Sequence, residues 1–196
     1  MEILGKILGS LARVKIMRLF LLNPSRGFSL KEIAKRSQVS SESVRREVRL
    51  LSAVGFVKKR GEHAGLWFFN PVFKYSAELE GLLINADTLD KESIAATFRR
   101  VGRVNLLVVS GVFIKSKESR VDLLLVGDRL KRGKIEEGVR RLEAEIGAEL
   151  TYAVFDTKEF LYRLDMYDKL VRDILDFPHE VILETKKLST QALKKP

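Results

Sequence analysis

Two groups of basic residues lie close together in the first third of the chain, namely Arg45, Arg46 and Arg49, followed by Lys58, Lys59 and Arg60. An arginine guanidinium can donate two parallel hydrogen bonds to guanine O6 and N7 or to a phosphate, and a lysine ammonium attracts phosphate as a point charge. Ser41 and Ser43 stand just before the arginines and add hydroxyl groups that could donate to phosphates or base edges. These residue types fit a duplex DNA partner.

The charge distribution indicates the same kind of partner. Residues 1–75 contain 15 Lys and Arg against 5 Asp and Glu, whereas residues 76–196 contain 21 of each. The whole formal net charge of +10 therefore lies in the first part of the chain. A positive excess confined to one part of a chain is typical of a surface that binds a polyanion.

Helical spacing and capping signals predict the elements that hold these residues. A first helix is expected from Leu11, behind the capping pair Gly9-Ser10. Ser29 and Glu32 have the spacing of a capping box, which predicts the start of a second helix that runs to about Arg36. Two short helices with a tight connection are typical of a helix-turn-helix.

A third helix follows the connection at residues 37–40 and ends near Gly55. Its apolar stripe is predicted to be Val44, Val48 and Leu51. The three arginines then lie on the opposite face, where they either contact a DNA major groove or form an ordinary solvated helix face. The residues after the helix favour DNA, because they predict a hairpin with a basic edge.

The predicted hairpin has strands at residues 56–60 and 66–69, joined by a Gly-flanked turn at residues 61–65. His63 in the turn is either a solvated loop residue or a further DNA contact. The aromatic cluster of Trp67, Phe68, Phe69 and Phe73 is expected to close a small core, with stacking of single-stranded bases as the alternative.

The segment SLKEIAKRSQVSSESVRREVRLLSAVGFVKKR resembles the winged helix-turn-helix of arsenical-resistance-repressor-type transcriptional regulators, over about residues 5–75. The resemblance implies a recognition helix in the major groove and a basic wing on the flanking backbone. Regulators of this kind often dimerise through a following helix, so a homodimer is expected, with Leu79, Leu82 and Leu83 on that helix. Metal-gated derepression is not carried over, because the chain contains no cysteine.

The second part of the chain alternates helices with continuous apolar strands, which predicts an α/β layer. Strands are expected at residues 104–109, 121–126 and 150–155, with a short apolar piece at 181–183. Helices are expected at residues 90–100, 134–146, 157–164 and 167–175.

The segment LLVVSGVFIKSKESRVDLLLVGD resembles the minimal nucleotidyltransferase fold of the polymerase-β superfamily. In that family two aspartates on one strand hold magnesium ions that clamp nucleotide phosphates, and a third carboxylate lies on the next strand. Here Ser110-Gly111 occupies the loop in reversed order, Arg120 stands at the first aspartate position, Asp122 matches the second, and Glu149 is the nearest third carboxylate. A guanidinium at a metal position should abolish two-metal catalysis, so neither a metal nor a cofactor is expected.

Two alternatives remain open for this part. Asp122 either caps a turn or serves as the catalytic residue of an active, metal-dependent nucleotidyltransferase that its winged helix targets. The loop with Lys115, Lys117 and Arg120 either holds a small phosphate-containing ligand without metal or is simply solvated.

The predicted fold class is α+β. It comprises a winged helix-turn-helix DNA-binding domain at residues 1–75, a connecting helix or linker at 76–87, an α/β nucleotidyltransferase-like domain at 88–184 and a basic, flexible tail at 185–196. No apolar run approaches the roughly 18 residues of a membrane span, and the N-terminus lacks a signal-peptide pattern. We therefore expect a cytoplasmic transcriptional regulator that binds double-stranded DNA as a homodimer and has no membrane partner.

Overall fold

The computed structural model of the chain describes residues 3–59, 65–84, 91–116 and 118–188. It has the predicted α+β class and divides into two compact units. The first comprises Met1–Leu89 and Arg140–Glu149, and the second comprises Asp90–Val139 and Leu150–Pro196. No helix in the described ranges is long and apolar enough to cross a membrane.

The first unit is built from helices and one short hairpin. Its elements are α1 (Ile3–Ile7), α2 (Leu11–Leu21), α3 (Leu30–Ser37), α4 (Ser41–Ala53), the antiparallel strands β1 (Val57–Lys59) and β2 (Trp67–Phe69), and α5 (Ser76–Leu83). The three predicted helices are confirmed within about a turn of their expected ends, whereas α1 is an element that the sequence pattern did not predict.

Serine caps explain where these helices begin. The Oγ atoms of Ser10, Ser29 and Ser40 accept hydrogen bonds from backbone amides in the first turns of α2, α3 and α4. At α3 the Glu32 carboxylate also accepts from the backbone N–H of Ser29, which completes the predicted capping box. Gln38, with φ of 51°, ends α3 in a left-handed conformation and turns the chain toward α4.

The core of the first unit contains the predicted stripe of α4. Val44, Val48 and Leu51 are all buried, together with Phe20 and Phe28, whose rings meet edge to face. The aromatic cluster also packs inward, with Phe68 and Phe69 buried and with Trp67 and Phe73 packed partly against the core. Core packing is thus the observed use of these rings.

The hairpin is pinned to the helices through Phe28. The backbone N–H and C=O of Phe28 exchange hydrogen bonds with those of Trp67, at 2.9 and 2.8 Å, just before the cap of α3. Lys58 pairs with Phe68 and Lys59 with Trp67 across the two strands. Arg60 and His63 lie outside the described residues.

Residues 140–149, which are distant in sequence, complete the first unit. Arg18 is buried, and its Nε donates to the Leu83 carbonyl at 2.8 Å and its Nη1 to the Glu145 carbonyl at 3.1 Å. Asn23 Nδ2 donates to the Gly147 carbonyl at 2.9 Å. Since a Cβ on Gly147 would lie only 2.6 Å from the backbone carbon of Arg18, this segment packs against the α2 backbone more closely than any other residue type would allow.

The second unit is a mixed sheet with helices. Its elements are α6 (Lys91–Phe98), β3 (Arg103–Val109), β4 (Leu123–Asp128), α7 (Arg132–Ile146, whose last residues belong to the first unit), β5 (Tyr152–Phe155), α8 (Thr157–Asp165), α9 (Lys169–Asp176) and β6 (Glu180–Glu184). In the described chain the strand order is β5-β4-β3-β6, with β4 and β5 parallel and the other pairs antiparallel. Phe160 of α8 and Val171 of α9 are buried in a core with Leu106 and Leu124 of the sheet.

Two strands of the second unit begin two residues later than predicted, and one of them, β5, starts at Tyr152 rather than at residue 150. The strand expected at residues 121–126 is observed at Leu123–Asp128, so Asp122 precedes the regular ladder. The backbone N–H of Asp122 donates to the Thr151 carbonyl at 2.7 Å, and the Asp122 carbonyl accepts from Ser110 N at 2.9 Å. These hydrogen bonds hold Asp122 in a loop conformation, whereas the apolar pattern alone places it in a strand.

Candidate nucleic-acid interface

The outer face of α4 carries the predicted arginines in exposed positions. Arg45, Arg46 and Arg49 are all exposed, opposite the buried stripe of the same helix. Arg45 and Arg49 are one turn apart, so their side chains lie side by side on one face. Of the two predicted serines, Ser41 is exposed, whereas Ser43 is half-buried and its Oγ accepts from Ser40 Oγ at 3.0 Å. Ser43 is thus partly occupied by the helix cap.

Glu47 is a buried carboxylate beneath this face that the sequence interpretation missed. Its side chain is 2% exposed, and it accepts from Ser10 Oγ and from Arg13 Nε, both at 2.9 Å. Burial alone would raise the pKa of Glu47, but the hydrogen bonds from Ser10 and Arg13 and the charges of Arg13 and Arg46 outweigh it and hold the pKa below its ordinary value. The sequence did contain a signal for this buried carboxylate, namely an acidic residue between Val44 and Val48 of the apolar stripe.

The Glu47 contacts fix how α4 is rotated about its own axis. They join the start of α2 to the middle of α4, so the arginine face cannot turn inward without breaking a partly buried ion pair. Arg46 Nη2 lies 3.5 Å from Glu47 Oε1, so its charge is partly offset. Arg45 and Arg49 are therefore the arginines of this face whose charge is most fully directed to solvent.

The hairpin brings further positive charge next to α4. Lys59 is exposed and its Nζ lies 4.9 Å from the centre of the Trp67 ring, a cation–π distance that orients the ammonium group. Lys58 is half-buried. Lys59 is thus held at a defined position by the aromatic residue opposite it.

A groove connects the helix and the hairpin. It has a volume of about 540 Å³ and is lined by Leu30, Arg45, Val48, Arg49, Ser52, Ala53 and Trp67. The structure thereby brings two of the predicted arginines and the base of the hairpin to one surface. Arg60 and His63 belong to the predicted set but lie outside the described residues, so their contribution stays a prediction.

The carboxylate of Asp122, in the second unit, is hydrogen-bonded to the backbone of the chain itself. Its Oδ1 accepts from the backbone N–H of Val112 at 2.9 Å, and its Oδ2 accepts from that of Thr151 at 2.8 Å. The Nε atom of Arg120, the residue expected at the first metal position, lies 3.1 Å from Asp173 Oδ2. This arrangement matches the turn-capping alternative, since both carboxylate oxygens tie loops together.

Two further residues of the predicted nucleotide site, Glu149 and Lys115, are among the described residues. Glu149 belongs to the first unit, where its Oε1 lies 2.5 Å from Arg36 Nη2, and the hydrogen bond and charge of Arg36 lower its pKa. Lys115 is exposed, and Lys117 lies outside the described residues. Within the described ranges, no group of three or more His, Cys, Asp or Glu residues could hold a metal ion.

Comparisons with protein-family models, curated proteins and solved structures give no significant match for this chain. Geometry and charge of the α4 face are therefore the basis on which a function can be proposed.

Proposed function

We propose that the chain is a DNA-binding transcriptional regulator. In this proposal α4 lies in the major groove, the basic hairpin contacts the flanking backbone, and the second unit serves sensing or assembly. The observation that carries the proposal is the exposed arginine face of α4, whose rotation is fixed by the ion pair of the buried Glu47 with the partly exposed Arg13.

A single α-helix such as α4 fits the DNA major groove. A major groove about 12 Å wide accepts one α-helix, with the side chains of its outer face against the base edges. Arg45 and Arg49 then reach bases or phosphates, while Ser41 at the N-terminal end of α4 is close to a strand of the backbone. The positive end of the helix dipole favours that orientation toward phosphate.

The electrostatics support the same docking. The formal excess of +10 lies within residues 1–75, so attraction to DNA is concentrated on the segment that contains α4 and the hairpin. Lys59 adds an ammonium group on the hairpin, which the Trp67 ring orients.

Substitution of the three arginines tests the proposal. We expect the triple variant Arg45→Ala, Arg46→Ala, Arg49→Ala to bind a labelled random-sequence duplex at least 100-fold more weakly at about 50 mM salt, since removal of each arginine costs about 1–3 kcal/mol of binding free energy. Fluorescence anisotropy measures the affinity, and circular dichroism and Tm establish that the variant is folded.

A charge-matched control separates the α4 face from general attraction. Arg99, Arg100 and Arg132 are exposed arginines of the second unit, and their triple replacement by alanine removes the same charge. We expect this control to weaken binding by less than tenfold. Equal reductions in affinity for the two variants, or no reduction for the α4 variant, would contradict docking through α4.

Nucleotidyl transfer receives no support from the site. Both oxygens of Asp122 accept hydrogen bonds from loop amides, and Arg120 places a guanidinium where a magnesium ligand is needed. We therefore do not propose it as a second function.

A further inference from the structure

Exposed cations gather at one edge of the sheet of the second unit. β4 and β5 end at this edge, and β3 begins there, because β3 is antiparallel to β4 and its first residue, Arg103, pairs with Asp128, the last residue of β4. We call residues 99–103 and 128–134 the basic edge. Its exposed basic residues are Arg99, Arg100, Arg103, Arg129, Lys131, Arg132 and Lys134.

Backbone contacts hold the two segments of the basic edge together. Lys131 N donates to the Val101 carbonyl at 2.6 Å, and a Cβ on Gly102 would lie only 2.7 Å from the Arg129 carbonyl oxygen. Two groups of basic residues that are far apart in sequence are thereby adjacent in space. The sequence pattern gave no sign of this pairing, because it depends on the register of β3 against β4.

Little negative charge offsets these cations. The basic edge contains 7 Lys and Arg but a single acidic residue, Asp128. Hydrogen bonds from Thr157 and Asn105 occupy its carboxylate and lower its pKa, so Asp128 is held by the protein. Arg132 lies 3.1 Å from Glu136, and within the described ranges none of the other six cations forms an ion pair.

The residue types of the basic edge suit phosphate groups. Five of the seven cations are arginines, whose planar guanidinium donates two parallel hydrogen bonds to phosphate oxygens. α7 begins at Arg132, so the positive end of its dipole lies at the same edge. The two segments contain no aromatic residue, and a nucleobase therefore finds no ring there on which to stack. Several adjacent phosphates match this surface better than exposed bases of single-stranded nucleic acid.

The basic edge and Asp122 lie at opposite ends of β4. Arg120 and Asp122 precede the first residue of this strand, whereas the basic edge begins at its last residue. The six residues of β4 span about 20 Å. The basic edge is therefore a different place from the nucleotide site that the sequence resemblance implies.

We propose that the basic edge binds a small anion with several adjacent phosphate groups. Cations that lie close together repel one another, and a ligand with several negative charges offsets that repulsion. Ligands commonly bind outside the carboxyl ends of parallel strands, which is the position of this edge relative to β4 and β5. The proposal gives the second unit a ligand of its own, and it does not depend on DNA binding by α4.

Inorganic triphosphate is the probe that tests the proposal. In isothermal titration calorimetry of the full chain with EDTA and about 150 mM salt, we expect it to bind about tenfold more tightly than orthophosphate. The variant Arg99→Ala, Arg100→Ala, Arg132→Ala should bind triphosphate about tenfold more weakly, since it removes three guanidinium groups. Circular dichroism and Tm establish that the variant is folded.

Two comparison variants separate the basic edge from general attraction. The α4 triple variant should keep its triphosphate affinity while it loses duplex affinity. The variant Lys91→Ala, Lys115→Ala, Lys169→Ala removes three exposed cations of the second unit outside the basic edge and should also keep its triphosphate affinity. A chain that binds triphosphate but no duplex would contradict docking through α4 alone, and the reverse result would contradict the basic edge alone.

Hydrogen exchange locates the contact without any substitution. Triphosphate should slow amide exchange in peptides that cover residues 128–135 and leave residues 41–53 unchanged. This result stands even if the variant of the basic edge lowers Tm.

Further ligands identify the source of the phosphates. ATP that binds more tightly than triphosphate would indicate a nucleotide, and equal affinities would indicate free oligophosphate, whereas AMP should bind about tenfold more weakly than either. The proposal is overturned if AMP and triphosphate bind equally, if the α4 variant or the lysine variant loses as much triphosphate affinity as the variant of the basic edge, or if the last of these loses duplex affinity as the α4 variant does.

Discussion

Glu47 shows how a single buried carboxylate can orient a helix face on which it does not itself lie. Its two oxygens hold Ser10 and Arg13 at the start of α2, while its own helix presents Arg45 and Arg49 to solvent. A partly buried ion pair of this kind contributes little net stability compared with an apolar pair, but removing one partner leaves the buried Glu47 carboxylate uncompensated, which is costly. The main effect of this ion pair is to fix the orientation of α4.

The lowered pKa of Glu47 predicts a pH dependence of stability. Its ionised form is favoured by folding, so the contribution is fully present above the ordinary value of 4.5 and is lost as pH falls through the lower pKa of the folded chain. We expect Glu47→Gln to lower the free energy of unfolding by about 1–3 kcal/mol at neutral pH, and by less near pH 3.

Urea denaturation of both proteins at several pH values measures this effect. Glu42→Gln, an exposed residue on the same helix, serves as the control and should be nearly neutral at every pH. A constant difference between wild type and Glu47→Gln from neutral to acidic pH would show that the carboxylate is not preferentially ionised in the folded state.

At the scale of elements, capping residues and apolar spacing predicted α2, α3 and α4 well. Ser29 with Glu32 and the stripe of Val44 and Val48 are local signals, and local interactions decide those helix ends. Two features could not be predicted. The attachment of residues 140–149 to the first unit depends on contacts far apart in sequence, and the position of Asp122 depends on loop amides rather than on hydropathy.

Gly147 offers a test of that distant attachment. Its φ is 93° and an added Cβ would lie 2.6–2.7 Å from backbone atoms of Arg18 and Leu19, which cannot easily move. We expect Gly147→Ala to destabilise the chain by about 2–4 kcal/mol, from strain and overpacking together.

Thermal and urea denaturation measure this destabilisation. Gly133→Ala is the matched control, because the space around Gly133 is open and alanine favours a helix interior. It should be neutral or slightly stabilising. Equal stability of the two variants would mean that the segment does not pack closely against α2.

At the scale of the whole molecule, the formal charge is distributed unevenly along the sequence. Residues 1–75 carry an excess of +10, whereas residues 76–196 contain 21 basic and 21 acidic residues. The proposal of a DNA partner therefore predicts that the salt dependence of binding comes mainly from residues 1–75.

The salt dependence of DNA affinity measures how many phosphates the hairpin lysines neutralise. Removal of one lysine that neutralises a phosphate should reduce the slope of log affinity against log salt by about 0.9. We expect Lys58→Ala with Lys59→Ala to reduce the slope by about 1–2 while weakening all duplex sequences to a similar extent, because phosphate contacts carry no base information. An unchanged slope would place the hairpin away from the backbone.

The buried Arg18 has a consequence for the order in which the chain is made. Its guanidinium binds carbonyl groups that lie 65 and 127 residues further along the sequence, at the ends of α5 and α7. A ribosome therefore releases the arginine face of α4 long before the chain that completes the same unit. Until residue 145 has emerged, one polar group of the buried guanidinium lacks its carbonyl, and the arginine face of α4 in the nascent chain rests on an unfinished core.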